Sequence, residues 1–322
     1  MSYVTKLFSG IIAAGLVAAT ATAASAQLGD LKLIAPAAPG GGWDQTARAM
    51  QSAMVAAGAA KSVQVTNIPG AGGTVGLAQF VNAKGDGGQL MVNGFVMVGA
   101  ILLNKSPVSL DQVTPIAKLT EETVVVVVPP DSPIKNAKDL AAAIKADVSK
   151  VTFAGGSAGS VDHILAAQIV KAAGADPAKV NYIPFSGGGE SIAAILGGKV
   201  TAGISGYGEY EGQIKSGKMR AIGISSEKKM AGIDLPTLKE QGIDAVITNW
   251  RSVVAAPGIS DADKKKLSEA VDKMVKSSAW KEVLKQKGWD DAYMPSDEFA
   301  KYLKQEQARV SDVMKAIGLV KS

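Results

Sequence analysis

The sequence has no cysteine and one histidine, His163, among its 322 residues. Without cysteine there is no disulfide framework, no thiolate nucleophile and no cysteine-bound metal. With one histidine, a metal would be left to carboxylates, so no metal and no cofactor is expected. A strong excess of either charge is also lacking, since 34 basic residues face 29 acidic ones for a net +5. Aromatics make up 5% of the chain and do not interleave with a basic stripe, so nucleic acid is not an expected partner. The run Lys264-Lys265-Lys266 falls on the polar side of an amphipathic helix and reads as a solvated face. Beyond the N-terminus the longest apolar runs, 95–103 and 124–128, are too short to span a bilayer.

The N-terminus is different. Lys6 precedes an apolar and small-residue stretch over 7–24, and Ala24-Ser25-Ala26 has the small-x-small form of a cleavage site. That pattern predicts a signal peptide over 1–26, with export and cleavage near Ala26. A membrane anchor fits less well, because much of the run is Ala, Gly, Ser and Thr. A lipoprotein anchor would need a cysteine. The periplasm is the expected location, with secretion into the medium as the alternative. Removing 26 of the 322 residues leaves 296 and, with Lys6 gone, a net charge of +4. That is room for one large or two medium α/β domains.

Short runs rich in Val and Ile alternate with alanine-rich helical stretches. Residues 31–36, 62–67, 89–94, 151–156, 180–185, 200–205 and 219–225 read as buried strands. Between them 44–57, 74–83, 136–146, 160–173 and 189–197 read as helices, and 261–276 and 297–316 as two longer ones capped by Ser260 and Ser296. Two extended runs ending in proline, 124–133 and 249–258, bracket a central block of β/α units. The expected fold is therefore α/β and two-lobed, like a periplasmic binding protein. It has two mostly parallel sheets flanked by helices, a ligand cleft between lobes and a two-strand hinge. Lobe 1 is placed at 27–127 plus 251–322 and lobe 2 at 128–250.

Glycine loops follow five of these strands: "APGGGWDQT" at 38–46, "GAGGT" at 70–74, "GGSAGS" at 155–160, "SGGGE" at 186–190 and "GYGE" at 206–209. Strand C-terminal ends are where open α/β sheets bind ligands, and glycines present bare N–H groups at helix starts, where negative charge is favoured. Facing one another across a cleft, the loops would ring a small anion with neutral donors. A nucleotide fits poorly: "GGGWDQT" lacks the Lys-Ser/Thr of a phosphate loop, and no acidic residue follows "GAGGTVG" where a ribose contact would sit. Residues 155–159 match the GxSxG of a nucleophile elbow with Ser157 as nucleophile. His163, however, would lie on the elbow's own helix, about 9 Å further along at ~1.5 Å per residue. It is badly placed to take the Ser157 proton, so a serine esterase is the alternative and no enzyme is the expectation.

The stretches "APAAPGGGWDQTARAMQ", "VTNIPGAGGTVG", "FAGGSAGSVDHILAAQI", the long run from "NYIPFSGGGE" to "KMRAIGIS", and "NWRSVVAAPG" occur in that order. Together they resemble the substrate-binding proteins of tripartite tricarboxylate transporters, the TctC group within the wider Bug family. The resemblance covers essentially all of the chain after residue 26. It implies capture of a small carboxylate, citrate-like, and delivery to a membrane permease, with a sensing receptor subunit as a third possibility. Carried over motif by motif, it implies a ligand site of Gly40, Gly41, Gly42, Trp43 and Asp44 in the first loop, Asn67 and Gly72 in the second, and Ser157, Gly159, Ser160 and His163 in the third. A monomer is the default.

The residues leave several roles open. Asp44 either caps the amides of 45–47 or faces the cleft, where it would suit a ligand hydroxyl or a bridging water. Trp43 either packs in the core or walls the cleft. Arg48 stands four residues on and predicts an i, i+4 ion pair with Asp44. His163 is either a satisfied helix histidine or a ligand contact. Arg251, at the second crossing, either grips a distal carboxylate or serves the hinge. Tyr207 and Glu209 either line the second lobe or cap its helix.

Overall fold

The structure, a computed structural model, describes residues 27–185, 188–230 and 232–321. The leader expected over 1–26 lies outside the described residues. No helix among the described residues is long and apolar enough to cross a membrane.

The chain opens with β1 (Leu28–Ala35), α1 (Gly42–Ala56), β2 (Ala60–Asn67), α2 (Thr74–Phe80), β3 (Gln89–Gly94) and α3 (Phe95–Leu103). β1 pairs in parallel with both β2 and β3. β4 (Thr114–Val128) then leads into α4 (Ala137–Ala146), β5 (Thr152–Gly155), α5 (Val161–Ala172), β6 (Asn181–Pro184), α6 (Gly188–Leu196), β7 (Ala202–Gly206), α7 (Tyr207–Lys215) and β8 (Arg220–Ile224). Here β5 is parallel to β6 and β7. The chain returns along β9 (Thr248–Ala255) to α8 (Asp261–Lys276), α9 (Ser278–Lys287), β10 (Asp290–Pro295) and α10 (Ser296–Ala316).

The two parallel sets are stitched together by antiparallel strands. The first ten residues of β4 pair with β9 and β10, and its last five pair with β7 and β8. The partners change between Thr123 and Val124, so one curled, mixed sheet runs through both halves in the order β2-β1-β3-β9-β4-β7-β5-β6. The five valines at 124–128 are fully buried because this part of β4 has a strand on either side and side chains packed on both faces. A strand open to water on one face would alternate instead.

Helix starts divide into two kinds. Asn136, Ser160, Ser260 and Ser277 each accept a first-turn N–H through their side chains. Ser296 does not act as the cap expected of it. Pro295 occupies that position, and the Ser296 hydroxyl donates instead to the Pro115 carbonyl at 2.8 Å, tying α10 to β4. The apolar run 95–103 is α3. Its buried side includes Phe95, Met97 and Val98 and packs against α10, α5, β3 and β9, while Val96 and residues 101–103 are half-buried.

Alternation along β9 sets the functional geometry. Trp250 points to α10, where Nε1 donates to Glu306 Oε2 at 2.9 Å and the ring meets Phe299 and Tyr302 edge-on. Asn249 and Arg251, one residue to either side, point the other way.

Candidate functional site

Asn249 and Arg251 emerge in a cleft of about 820 Å³, counted out to its open mouth. One wall is formed by residues 41–43 and 69–73, the other by 156–157, 161–162, 205–206 and Glu209. Both halves of the molecule therefore contribute. A cleft lined from two walls by glycine loops, with a few convergent charged side chains, suits a small organic ligand.

Among the described residues, three helices begin here with a glycine and no side-chain cap: α1 after Gly41, α2 after Gly73 and α7 after Gly206. Their first-turn N–H groups have no partner within the helix. α1 and α7 come from opposite walls, and each offers the positive end of its dipole to the space between them. Glycine is required at both starts by contact as well. A Cβ on Gly42 would stand 2.6 Å from Arg251 Nη2 and 2.8 Å from Glu209 Oε1, and one on Gly206 would run into the Glu122 carboxylate.

The first loop is held from behind. Asp44 is buried and does not cap the amides of 45–47. It accepts from Gly40 N–H at 2.8 Å, from Asn67 Nδ2 at 2.9 Å and from Arg48 Nε at 3.0 Å. Burial pushes its carboxyl up, but the Arg48 bond, the Gly40 N–H and Asn67 outweigh it and hold Asp44 below the usual carboxylate range. Asn67 also donates to the Ala37 carbonyl at 3.0 Å. The expected i, i+4 pair between Asp44 and Arg48 is present. Asp44→Ala should lower the unfolding free energy by about 1–3 kcal/mol and deprotect the Gly40 amide. Unchanged hydrogen exchange at Gly40 would show that this carboxylate does not clamp the loop.

The third loop has a matching clamp. His163 Nδ1 accepts from Gly159 N–H at 3.1 Å, and its ring stacks on Tyr182 with centroids 4.3 Å apart. Burial lowers its pKa to about 4, so the imidazole is neutral, with its proton on Nε2. Ser160 caps α5 by accepting from His163 N–H at 3.3 Å.

Of the residues expected at the site, Gly41, Gly42, Trp43, Gly72, Ser157 and Arg251 lie on the cleft wall. Gly40, Asp44, Asn67, Gly159, Ser160 and His163 stand behind it and shape the two loops. Tyr207 packs with Tyr210 in the core beneath α7. Trp43 fulfils both of its open roles: it is buried against Gly73 and Met97, and it still borders the cleft. The fourth expected loop includes Ser186 and Gly187, which lie outside the described residues; Phe185, just before them, reaches the cleft.

The floor is not the ring of neutral donors expected from the loops. Arg251 is 2% exposed and its guanidinium pairs with Glu122, itself 3% exposed and also bonded by Asn249 Nδ2 at 2.8 Å. The Arg251 guanidinium lies over the Trp289 ring at 4.8 Å. Glu209 is held by the Ser205 hydroxyl at 2.7 Å, and Asp162 takes the Gly156 N–H at 2.8 Å. Burial pushes the Glu122 carboxyl up, Arg251 pulls it back and Glu209 adds to the rise. Three carboxyl groups thus gather around one guanidinium. Asp162 sits two residues past the Ser160 cap, in the helix's first turn; that is ordinary for an acid, so nothing local marked it.

Residues 46–319 match the model of the tripartite tricarboxylate transporter family receptor. BugT of Bordetella pertussis is 27% identical over 313 residues, covering 95% of each chain. Among solved structures, the periplasmic binding protein BugD aligns with a TM-score of 0.82 at 24% identity, over 91% of this chain and 99% of its own. MatC from Rhodopseudomonas palustris with bound malate gives 0.78 at 24%, over 88% and 98%. An R. palustris protein with adipate gives 0.83 at 18%, over 90% and 97%. At these identities the solved structures establish the shared fold.

Proposed function

The chain belongs to the tripartite tricarboxylate transporter receptor family, and from that premise we propose that it captures a small di- or tricarboxylate by lobe closure and delivers it to the membrane permease of such a transporter. The observation that carries this reading is the pair of uncapped helix starts, α1 and α7, opening from opposite walls beside Arg251. A carboxylate between them would take N–H donors from both halves, so its binding free energy would favour the closed arrangement. MatC and the adipate-bound R. palustris protein carry dicarboxylates on the same fold, which supports the ligand class.

In this reading lobe 1 is 27–127 plus 251–322 and lobe 2 is 128–250, with β4 and β9 as the hinge. The ligand contacts come from Gly41, Gly42, Trp43, Gly72, Ser157 and Arg251, with Gly40, Asp44 and Asn67 holding the first wall and Gly159, Ser160, His163 and Tyr207 supporting the second. The pattern over 1–26 supports export to the periplasm; a monomer is the default state. No catalytic role is assigned. The chain's one histidine is occupied by Gly159 N–H, which leaves Ser157 without an imidazole base.

Thermal melting with citrate, tricarballylate, succinate, adipate and terephthalate tests the ligand class. An acid at 100 times its dissociation constant adds about 2.7 kcal/mol of stability, a rise of several degrees. Absence of any shift across the panel would end the carboxylate reading. Turnover of a chromogenic ester that disappears in Ser157→Ala would replace it with a hydrolase.

A further inference from the structure

An anion receptor whose floor holds Glu122, Glu209 and Asp162 around one arginine has a charge problem. Fully ionised, the floor is negative, and Arg251 is already engaged by Glu122. Helix starts and bare amides attract a carboxylate, but the acids beneath would repel it.

We propose that Asp162 enters the ligand site as a neutral carboxylic acid and donates its proton in a hydrogen bond to a carboxylate oxygen of the bound anion. This deepens the carboxylate reading above and rests on it. Capture of the anion then requires that the cleft floor hold one proton.

The geometry supplies the reasons. Asp162 is 6% exposed and lies on the cleft wall. Its Oδ2 accepts from Gly156 N–H at 2.8 Å, and a peptide N–H can only donate, so Oδ2 must remain an acceptor. The proton belongs on Oδ1. Among the described residues, no other hydrogen bond to this carboxyl is seen.

The groups facing it are Glu122 from β4, Glu209 and Tyr210 from α7, Arg251 from β9 and Tyr182 from β6. Arg251 is the one cation among them. The Tyr182 hydroxyl is already committed, donating to the Gly156 carbonyl at 2.8 Å. Burial, and then the neighbouring Glu209 and Glu122, push Asp162 up to about 8 against the pull of Gly156 N–H and Arg251. At neutral pH the acid is therefore mostly in place before the anion arrives. A carboxylic acid held neutral in this way is a strong donor to an anion.

Calorimetric titration tests this with citrate, or with whichever acid of the panel gives the larger melting shift, from about pH 7.5 to about pH 9.5, where these acids are fully ionised. Wild-type affinity should fall about tenfold per pH unit above about pH 8, because only the protonated floor binds. Near pH 9, titrations in two buffers of different ionisation heat should show uptake of close to one proton. Asp162→Asn keeps a donor at the same place, so it should bind within about tenfold of wild type at pH 7.5 and show a flat profile.

Melting without ligand reads the proton separately. Between pH about 4 and about 8 the folded wild type holds a proton that the unfolded chain releases, so its stability declines as pH rises. Asp162→Asn should not share that decline and should melt above wild type at pH 8. A flat wild-type affinity, no proton uptake, or a well-folded Asp162→Asn that binds nothing at any pH each overturn the proposal while leaving carboxylate capture standing. Failure of every acid to bind wild type removes carboxylate capture, and this proposal with it, even if the ligand-free melting difference is seen.

Discussion

Gly99→Ala is expected to weaken ligand binding by about 10- to 100-fold while leaving the ligand-free protein as stable as wild type or slightly more so. Gly99 lies on α3, and a Cβ there would fall on the Gly159 carbonyl of the loop leading into α5. From the other side, a Cβ on Gly159 would stand 3.0 Å from the Gly99 carbonyl oxygen and 3.3 Å from Leu103 Cβ. Backbone meets backbone at this point, so no side-chain rotation can relieve the added methyl. The walls of the cleft must move apart instead. Overpacking of this kind costs about 1–3 kcal/mol, and a cost borne only by the ligand-competent arrangement lowers apparent affinity by the matching factor. In the proposed open arrangement, where the two walls separate, the methyl meets no backbone, and alanine is the better helix former by about 1 kcal/mol. Calorimetric titration with the acid that binds wild type, alongside small-angle scattering with and without it, checks the expectation. Wild-type affinity together with normal ligand-induced compaction would show that the Gly99–Gly159 contact is not part of the bound state.

The second large effect is on stability. Arg251→Ala should cost about 3–5 kcal/mol at neutral pH, because it strands Glu122 in the interior with Asn249 and Trp289 as hydrogen-bond donors and Glu209 as a like-charged neighbour. The penalty should depend on pH with a definite sign. Glu122 is already raised above 4.5, its ordinary value, and losing the guanidinium raises it further. A carboxyl raised in the folded state binds a proton that the unfolded chain gives up, so stability is lost as pH climbs through that window. Arg251→Ala should therefore approach wild-type stability near pH 4 and fall away from it by pH 7. Adding Glu122→Gln should recover much of the loss at pH 7. Denaturant unfolding of the four proteins at the two pH values closes the cycle; a penalty independent of pH, or no recovery in the double variant, would mean that Arg251 acts through packing on Trp289 alone.

Local structure was largely legible because local rules decide it. The expected helix over 261–276 coincides with α8, since Ser260 caps it and Leu267, Ala270, Val271, Met274 and Val275 form the buried stripe. The expected strand at 89–94 coincides with β3. Reading failed where a local signal had two outlets. Ser296 looked like a cap, yet its hydroxyl found the Pro115 carbonyl, 181 residues away in sequence. Asp44 stood in a first turn where acids commonly face the helix amides, but Gly40 and Asn67 claimed it. Nothing in "SVDHIL" separates a solvent-facing Asp162 from one sealed into a cleft.

By itself the sequence determined most strands and helices in their order, though not α3, α7, α9 or β10, together with the glycine turns at strand ends, the exclusion of thiol chemistry and the likeness to a receptor family. All of these rest on residue identity and short-range spacing. Tertiary structure alone decided the electrostatics of the floor. Glu122 and Arg251 are 129 residues apart in the chain, and β4 and β9 bring them together only by crossing between the two halves. Burial and pairing at such separations set the charge of each acid, and no local pattern encodes them.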